Sequence, residues 1–210
     1  AVRLQLSLDA PDGQGRRRVG IYSRPEDAPE DAPWTPHGTG TLSAEETPPP
    51  TELEELASWP PSEATSIDLS DFYERLEGIG FHYGASFQGL EEVWSAGDVA
   101  YGRVMAPESI ASSVGDYGVH PALLDATLHT LMAAVAEREK GDAVLLPFEW
   151  SDVTLHAVGA TELRVRVEMQ RSSGDESATV SLVVADGSGQ LVASVGGLLI
   201  RKATLEQVRA

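Results

Sequence analysis

Two hydrophobic periods divide the chain. Val2, Leu4, Leu6 and Leu8 alternate with Arg3, Gln5, Ser7 and Asp9, the period of two expected of a half-buried strand. This pattern starts at the first residue with no lead-in, so a fragment is expected. A turn at DAPDGQGRRR follows, then Val19, Ile21 and Tyr22 predict a second strand and WTPHGTGTL a third. The cleanest alternation comes late, in ELRVRVEMQ, where Leu163, Val165, Val167 and Met169 are expected inward. SATVSLVVADGSGQLVASVGGLLIRKA predicts a hairpin turning at DGSG, and AVLLPFEWSDVTLHAVG predicts two strands.

A helical period takes over twice. DLSDFYERLEGIG predicts a short helix capped by Asp68 or Ser70, with Phe72, Leu76 and Ile79 as its apolar stripe and Gly78 or Gly80 as its stop. The longest helix is predicted over about residues 121–139, with Pro121 at its start and Gly141 beyond its end. Its stripe is Leu124, Leu128, Leu131 and Val135, widened by Leu123 and Met132, so most of its surface is expected to be covered. Between these helices, HYGASFQGLEEVWSAGDVAYGRVMAP predicts two strands around the turn SAGD. A central apolar helix followed by a strand meander predicts an α+β fold, an antiparallel sheet wrapped around one long helix.

One stretch fits neither period. Residues 43–71 hold eight acids and five prolines with no Lys or Arg. Proline lacks the N–H and like charges repel, so a linker rather than a packed element is expected.

Charge and composition narrow the function. A formal charge of −18 argues against nucleic acid, which needs a basic footprint. Arg16, Arg17 and Arg18, and the pair Arg201 and Lys202, are expected to be solvated turn or strand-end residues. No apolar run approaches the roughly 18 residues of a membrane span, and no signal peptide opens the chain. The absence of cysteine removes thiolate chemistry and fits a reducing compartment, so a soluble cytoplasmic protein is expected. The five histidines show no HxH or HExxH spacing, and no metal site is expected.

The candidate chemistry lies in HPALLDATLH. Asp125 and His129 are four apart, so on a helix their Cβ atoms sit about 5–6 Å from each other on one face. One reading is an exposed ion pair contributing about 0.3–0.5 kcal/mol. The other is an active site, because apolar neighbours such as Leu123, Leu124 and Leu128 desolvate a carboxyl and favour its protonated form, the form a general acid needs.

HPALLDATLH, with HYGASFQGL upstream and LLPFEWSDVTLH downstream, resembles the dehydratase domain of bacterial modular polyketide synthases. The family's YGxxF element, its HPxxLD helix with histidine or glutamine four residues after the aspartate, and its LPF strand occur here in order. The resemblance implies a double hotdog fold, truncated here. Residues 1–42 are then the last strands of the N-terminal hotdog, 43–65 an acidic Pro-rich linker, and 66–205 the C-terminal hotdog. It implies dehydration of a β-hydroxyacyl thioester carried on the phosphopantetheine arm of an acyl carrier protein, with no directly bound cofactor. The implied partners are that carrier and the neighbouring synthase domains, in a homodimeric parent, in antibiotic-type biosynthesis. Asp125 maps to the proton donor, His129 to the residue that orients it or contacts the hydroxyl, and Tyr83 to a substrate-positioning residue. Phe87, Pro147 and Phe148 are the further implied substrate contacts.

Two departures stand out. Ala85 replaces the proline usual in YGxxF. The family's base is the histidine of HxxxGxxxxP, and none of the five histidines has glycine four residues later. This chain alone is therefore expected to be inactive. Two competing readings are a non-catalytic structural or dimerisation fragment and a cyclase of the product-template kind. A carrier-docking patch, if present, is expected among Arg164, Arg166, Arg201 and Lys202.

Overall fold

Backbone pairing builds two antiparallel sheets, one of three strands and one of seven. The computed structural model describes residues 1–45, 47–138, 144–171 and 177–203. The chain divides into two compact units, Ala1–Pro48 and Pro49–Ala210.

In the first unit, β1 (Val2–Leu8), β2 (Arg17–Pro25) and β3 (Thr35–Leu42) run in the order β1-β2-β3. The register sets Leu4 beside Ser23, Leu6 beside Ile21 and Leu8 beside Val19. The apolar side chains therefore share one face, as the alternation predicts. That face is open rather than half-buried: Leu4 is 68% and Leu6 72% exposed. Nothing among the described residues of this unit packs over it, because three short strands have no helix of their own.

The second unit orders its strands β4-β5-β6-β8-β9-β10-β7. These are β4 (Thr65–Ile67), β5 (Leu90–Ala96), β6 (Val99–Met105), β7 (Val144–Leu155), β8 (Glu162–Arg171), β9 (Ser177–Asp186) and β10 (Leu191–Ala203). One face packs on α3 (Pro121–Arg138). Leu163, Val165, Val167 and Met169 of β8 are all buried there, as period two requires. The helix comes close at Gly102 of β6, where a Cβ would overlap the side chain of Thr130.

The most deeply buried positions of α3 are Leu123, Ala126, Thr127, His129 and Thr130, while Leu124 and Leu128 are only partly covered. The expected leucine stripe thus sits to one side of the true contact line. Small residues lie against the sheet because they let the helix approach. The expected stop at Gly141 lies outside the described residues.

Three further expectations change. The acidic stretch is partly packed: Thr51–Leu53 forms a 3₁₀ turn leading into α1 (Glu54–Ala57), and Leu56 is fully buried against the outer face of the sheet with Tyr101, Val183 and Ala185. One of its acids, Glu55, is balanced by long-range partners, since Arg166 Nε donates to it at 2.9 Å and Tyr101 donates to the same carboxylate. The short helix α2 (Phe72–Gly78) begins after Asp71 without a side-chain cap, and Asp68 instead accepts from Ser70 N at 2.9 Å. Residues 144–155, expected as two strands, form one. Asp152 takes φ 52°, opposite Gly196, whose missing Cβ leaves room for it, so pairing with β10 continues.

Candidate active site

The site is built where α2 and the loop after it meet α3. Asp125 and His129 share one helix face, and His129 Nε2 lies 3.3 Å from Asp125 Oδ2. That pair is not aligned as a hydrogen bond, and Nε2 has no hydrogen-bond partner among the described residues. The two differ sharply in environment: the His129 side chain is 1% exposed and that of Asp125 37%. The expectation of a desolvated carboxyl is therefore not met. The leucines flank the helix, whereas the carboxyl stands at the edge of the buried cluster.

The imidazole is enclosed by rings. Tyr83 packs edge-on at 4.3 Å between centroids and Tyr73 at 5.7 Å, with Phe72 at 6.3 Å. Phe81 stacks on Tyr83. Tyr73 Oη lies 3.3 Å from His129 Nδ1 and accepts from the Leu90 N–H at 3.2 Å. Burial pushes the Tyr73 phenol up to about 12. Burial, and then the Asp125 charge, pushes Tyr83 up to about 12. Both hydroxyls therefore keep their protons at neutral pH.

These groups line a small cleft of about 60 Å³. Its walls are Phe81, Leu128, Leu131, Met132, Leu146, Pro147, Leu198 and Ile200, and Asp125, His129 and Tyr83 supply its polar atoms. An apolar cleft with three polar side chains in its lining suits a hydrocarbon chain with one oxygen function.

The structure brings together four of the six predicted site residues: Asp125, His129, Tyr83 and Pro147. Phe87 is 39% exposed and Phe148 60% exposed, and neither lines the cleft. Phe148 instead lies under the Arg201 guanidinium, 3.6 Å from its ring centroid. Side chains alternate along β7, so Pro147 and Phe148 face opposite ways. Tyr73 was missed by the sequence reading, because its link to His129 spans 56 residues and leaves no local spacing signal.

Two of the four residues expected in a docking patch are engaged within the fold, while Arg201 is exposed. Arg166 is buried and held by Glu55 and Glu168. Arg164 donates to the Leu56 carbonyl at 3.1 Å and lies over Trp59. Both fasten the acidic stretch to the sheet. The Lys202 side chain lies outside the described residues. His120 is a helix-entry residue, accepting from Ala122 N at 3.2 Å, and His156 bonds Ser194 at 3.0 Å. Among the described residues no acidic, histidine or cysteine cluster could hold a metal, and no helix is long and apolar enough to cross a membrane.

Known proteins resemble this chain in sequence and fold. The family model for the polyketide synthase dehydratase N-terminal domain matches residues 51–210. Polyketide synthase GfsA of Streptomyces halstedii is 43% identical over 209 residues, covering 100% of this chain and 3% of that protein. The crystal structure of a bifunctional dehydratase-cyclase domain in ambruticin biosynthesis has a TM-score of 0.87 at 38% identity, over 99% of this chain and 71% of that one. The dehydratase domain from the terminal module of the rifamycin polyketide synthase gives 0.81 at 38%, over 95% and 68%. The chain belongs to the polyketide synthase dehydratase family, a family of hydro-lyases, and its α+β fold is the hotdog fold of those domains. It spans only a few per cent of the length of the curated synthases it matches.

Proposed function

We propose that this chain supplies the proton-donor half of a dehydratase acting on β-hydroxyacyl thioesters carried on acyl carrier protein. The observation that carries this reading is the Asp125–His129 pair in the lining of an otherwise apolar cleft. In the reaction a base removes the α-proton and the C–H electron pair forms the α,β double bond. The β-carbon–oxygen bond breaks, and the Asp125 carboxyl gives its proton to the departing hydroxyl, which leaves as water. His129 and Tyr83 hold the hydroxyl, and Pro147 and its apolar neighbours hold the acyl chain.

The α-proton acceptor is not among these groups, so the 210-residue chain alone is expected to yield no unsaturated product. The phosphopantetheine arm carries the substrate and no other cofactor takes part. The carrier protein and neighbouring synthase domains are the partners, in a homodimeric cytoplasmic synthase. A second reading, ring closure, has one support: the dehydratase-cyclase structure to which this chain is similar.

The test is Asp125→Asn in the full-length protein, assayed for α,β-unsaturated thioester from a carrier-bound β-hydroxyacyl substrate. A positioned general acid contributes about 10²–10⁴-fold, and a loss of that size is expected. Undiminished dehydration would overturn the reading. Appearance of a cyclised product that also depends on Asp125 would favour the second.

A further inference from the structure

We infer that Tyr73 is a positioning residue that fixes His129 as the Nε2–H tautomer, with that N–H presented to the cleft as a donor for the substrate hydroxyl. The inference rests on the dehydratase reading and goes beyond it, to a residue outside the HPxxLD, YGxxF and LPF elements.

Proton accounting around one buried ring carries it. Tyr73 Oη already accepts from the Leu90 N–H at 3.2 Å, and His129 Nδ1 lies 3.3 Å away. If Nδ1 held the proton, the phenol oxygen would receive two donors and its own O–H would have no acceptor among the contacts described. With the proton on Nε2, Tyr73 donates to Nδ1, the Leu90 amide donates to Tyr73, and Nε2–H faces the acid. This arrangement pairs the Tyr73 O–H, the Nδ1 lone pair and the Leu90 N–H, and leaves only Nε2–H, beside the cleft, without a partner among the described residues. Unpaired buried polar groups are costly, so it is favoured.

The phenol is suited to the task because it is a neutral O–H donor at neutral pH and its oxygen is already held by the Leu90 N–H. The peptide that anchors it belongs to the first residue of β5, so the relay is tied to the sheet rather than to a loop. Nε2 itself is buried and has no hydrogen-bond partner among the described residues, yet its ring lines the cleft beside Asp125. A native protein rarely leaves such an atom unmet without a functional reason. A β-hydroxyl entering the cleft would accept from Nε2–H while standing next to the carboxyl that protonates it.

The first experiment needs no substitution. Nitrogen NMR of the histidine ring in this chain should show Nδ1 as the unprotonated nitrogen and Nε2 as the protonated one. The reverse assignment overturns the inference. The second is Tyr73→Phe in the full-length protein. Misplacing a reacting group can cost about 10²-fold, and a fall in kcat of about 10- to 100-fold is expected with KM changed less than about twofold. In this chain, Y73F should also mix the two tautomers. Unchanged kcat with an unchanged tautomer overturns the inference, and so does a rise in KM alone. An unimpaired D125N enzyme would remove the proposed reaction yet leave the tautomer assignment standing, so the two failures are distinguishable.

Discussion

The two sheets carry the same alternation and meet different fates. Leu163, Val165, Val167 and Met169 of β8 are at most 6% exposed, whereas Val2, Leu4, Leu6 and Leu8 of β1 are at least 54% exposed. Both runs obey period two, and both present their apolar residues to a single face. What separates them is a helix. The seven-stranded sheet has α3 across its inner face and α1 on part of its outer face. The three-stranded sheet has neither within its own unit. Alternation therefore specifies which face is apolar, and only a partner of matching shape makes that face a core. About three tenths of each of the two solved dehydratase chains lies outside its match to this chain.

The largest effect that sharpens this contrast comes from truncating one leucine on each side of it. Leu123, fully buried between α3 and the sheet, should cost about 2–5 kcal/mol as Leu123→Ala, through lost burial and the cavity left behind. Leu6→Ala removes the same atoms from a 72% exposed site and should stay within about 0.5 kcal/mol. Urea unfolding read through tryptophan fluorescence distinguishes the units, since Trp34 lies in the first and Trp59, Trp94 and Trp150 in the second. A Leu6→Ala cost equal to that of Leu123→Ala would mean that the open face is covered in solution.

A smaller effect separates two strand glycines. At Gly102 an added Cβ runs into Thr130 of α3, whose hydroxyl is already buried without a partner among the described residues. Gly102→Ala should destabilise by about 1–3 kcal/mol, as overpacking does. Gly38 in β3 has nothing within 4 Å of its would-be Cβ, so Gly38→Ala should be neutral or stabilise by up to about 1 kcal/mol through the unfolded chain. Equal losses at the two sites would break the claim that helix approach, not strand geometry, requires the glycine at 102.

Legibility in the sequence follows the range of the interaction. The helix over HPALLDATLH and the alternating faces of β1 and β8 were readable because period and burial are local signals. So was the sharing of one helix face by Asp125 and His129, which four-residue spacing sets. The packed state of residues 51–57 was not readable. Its acids look unpaired until Arg166 and Tyr101, more than forty residues away, are folded against Glu55. Exposure of Asp125 and the role of Tyr73 were hidden for the same reason, since each depends on which distant elements reach α3. Pro147 and Phe148 show the converse limit: a motif named both, yet strand alternation lets only one of two neighbours face the cleft.

The mildest effect shows only at alkaline pH and again belongs to the second unit. Burial raises Tyr73, Tyr83 and Tyr101 to about 12 in the folded chain, from an ordinary value of 10. A raised phenol favours the folded state as long as the unfolded phenol ionises first. The unfolded chain begins to lose these protons near pH 10, while the folded chain keeps them until about 12. Stability from these groups is therefore fully present below pH 10 and is lost as pH rises through that window. Tyrosinate absorbance should show a class of phenols titrating only near pH 12, together with unfolding, and the urea midpoint should fall between pH 10 and 12. Tyr83→Phe should make that fall shallower without moving the midpoint's pH dependence near neutrality. An unaltered alkaline slope in the variant would show that Tyr83 is not held in the cleft beside Asp125, and that the ring cage around His129 is open on that side.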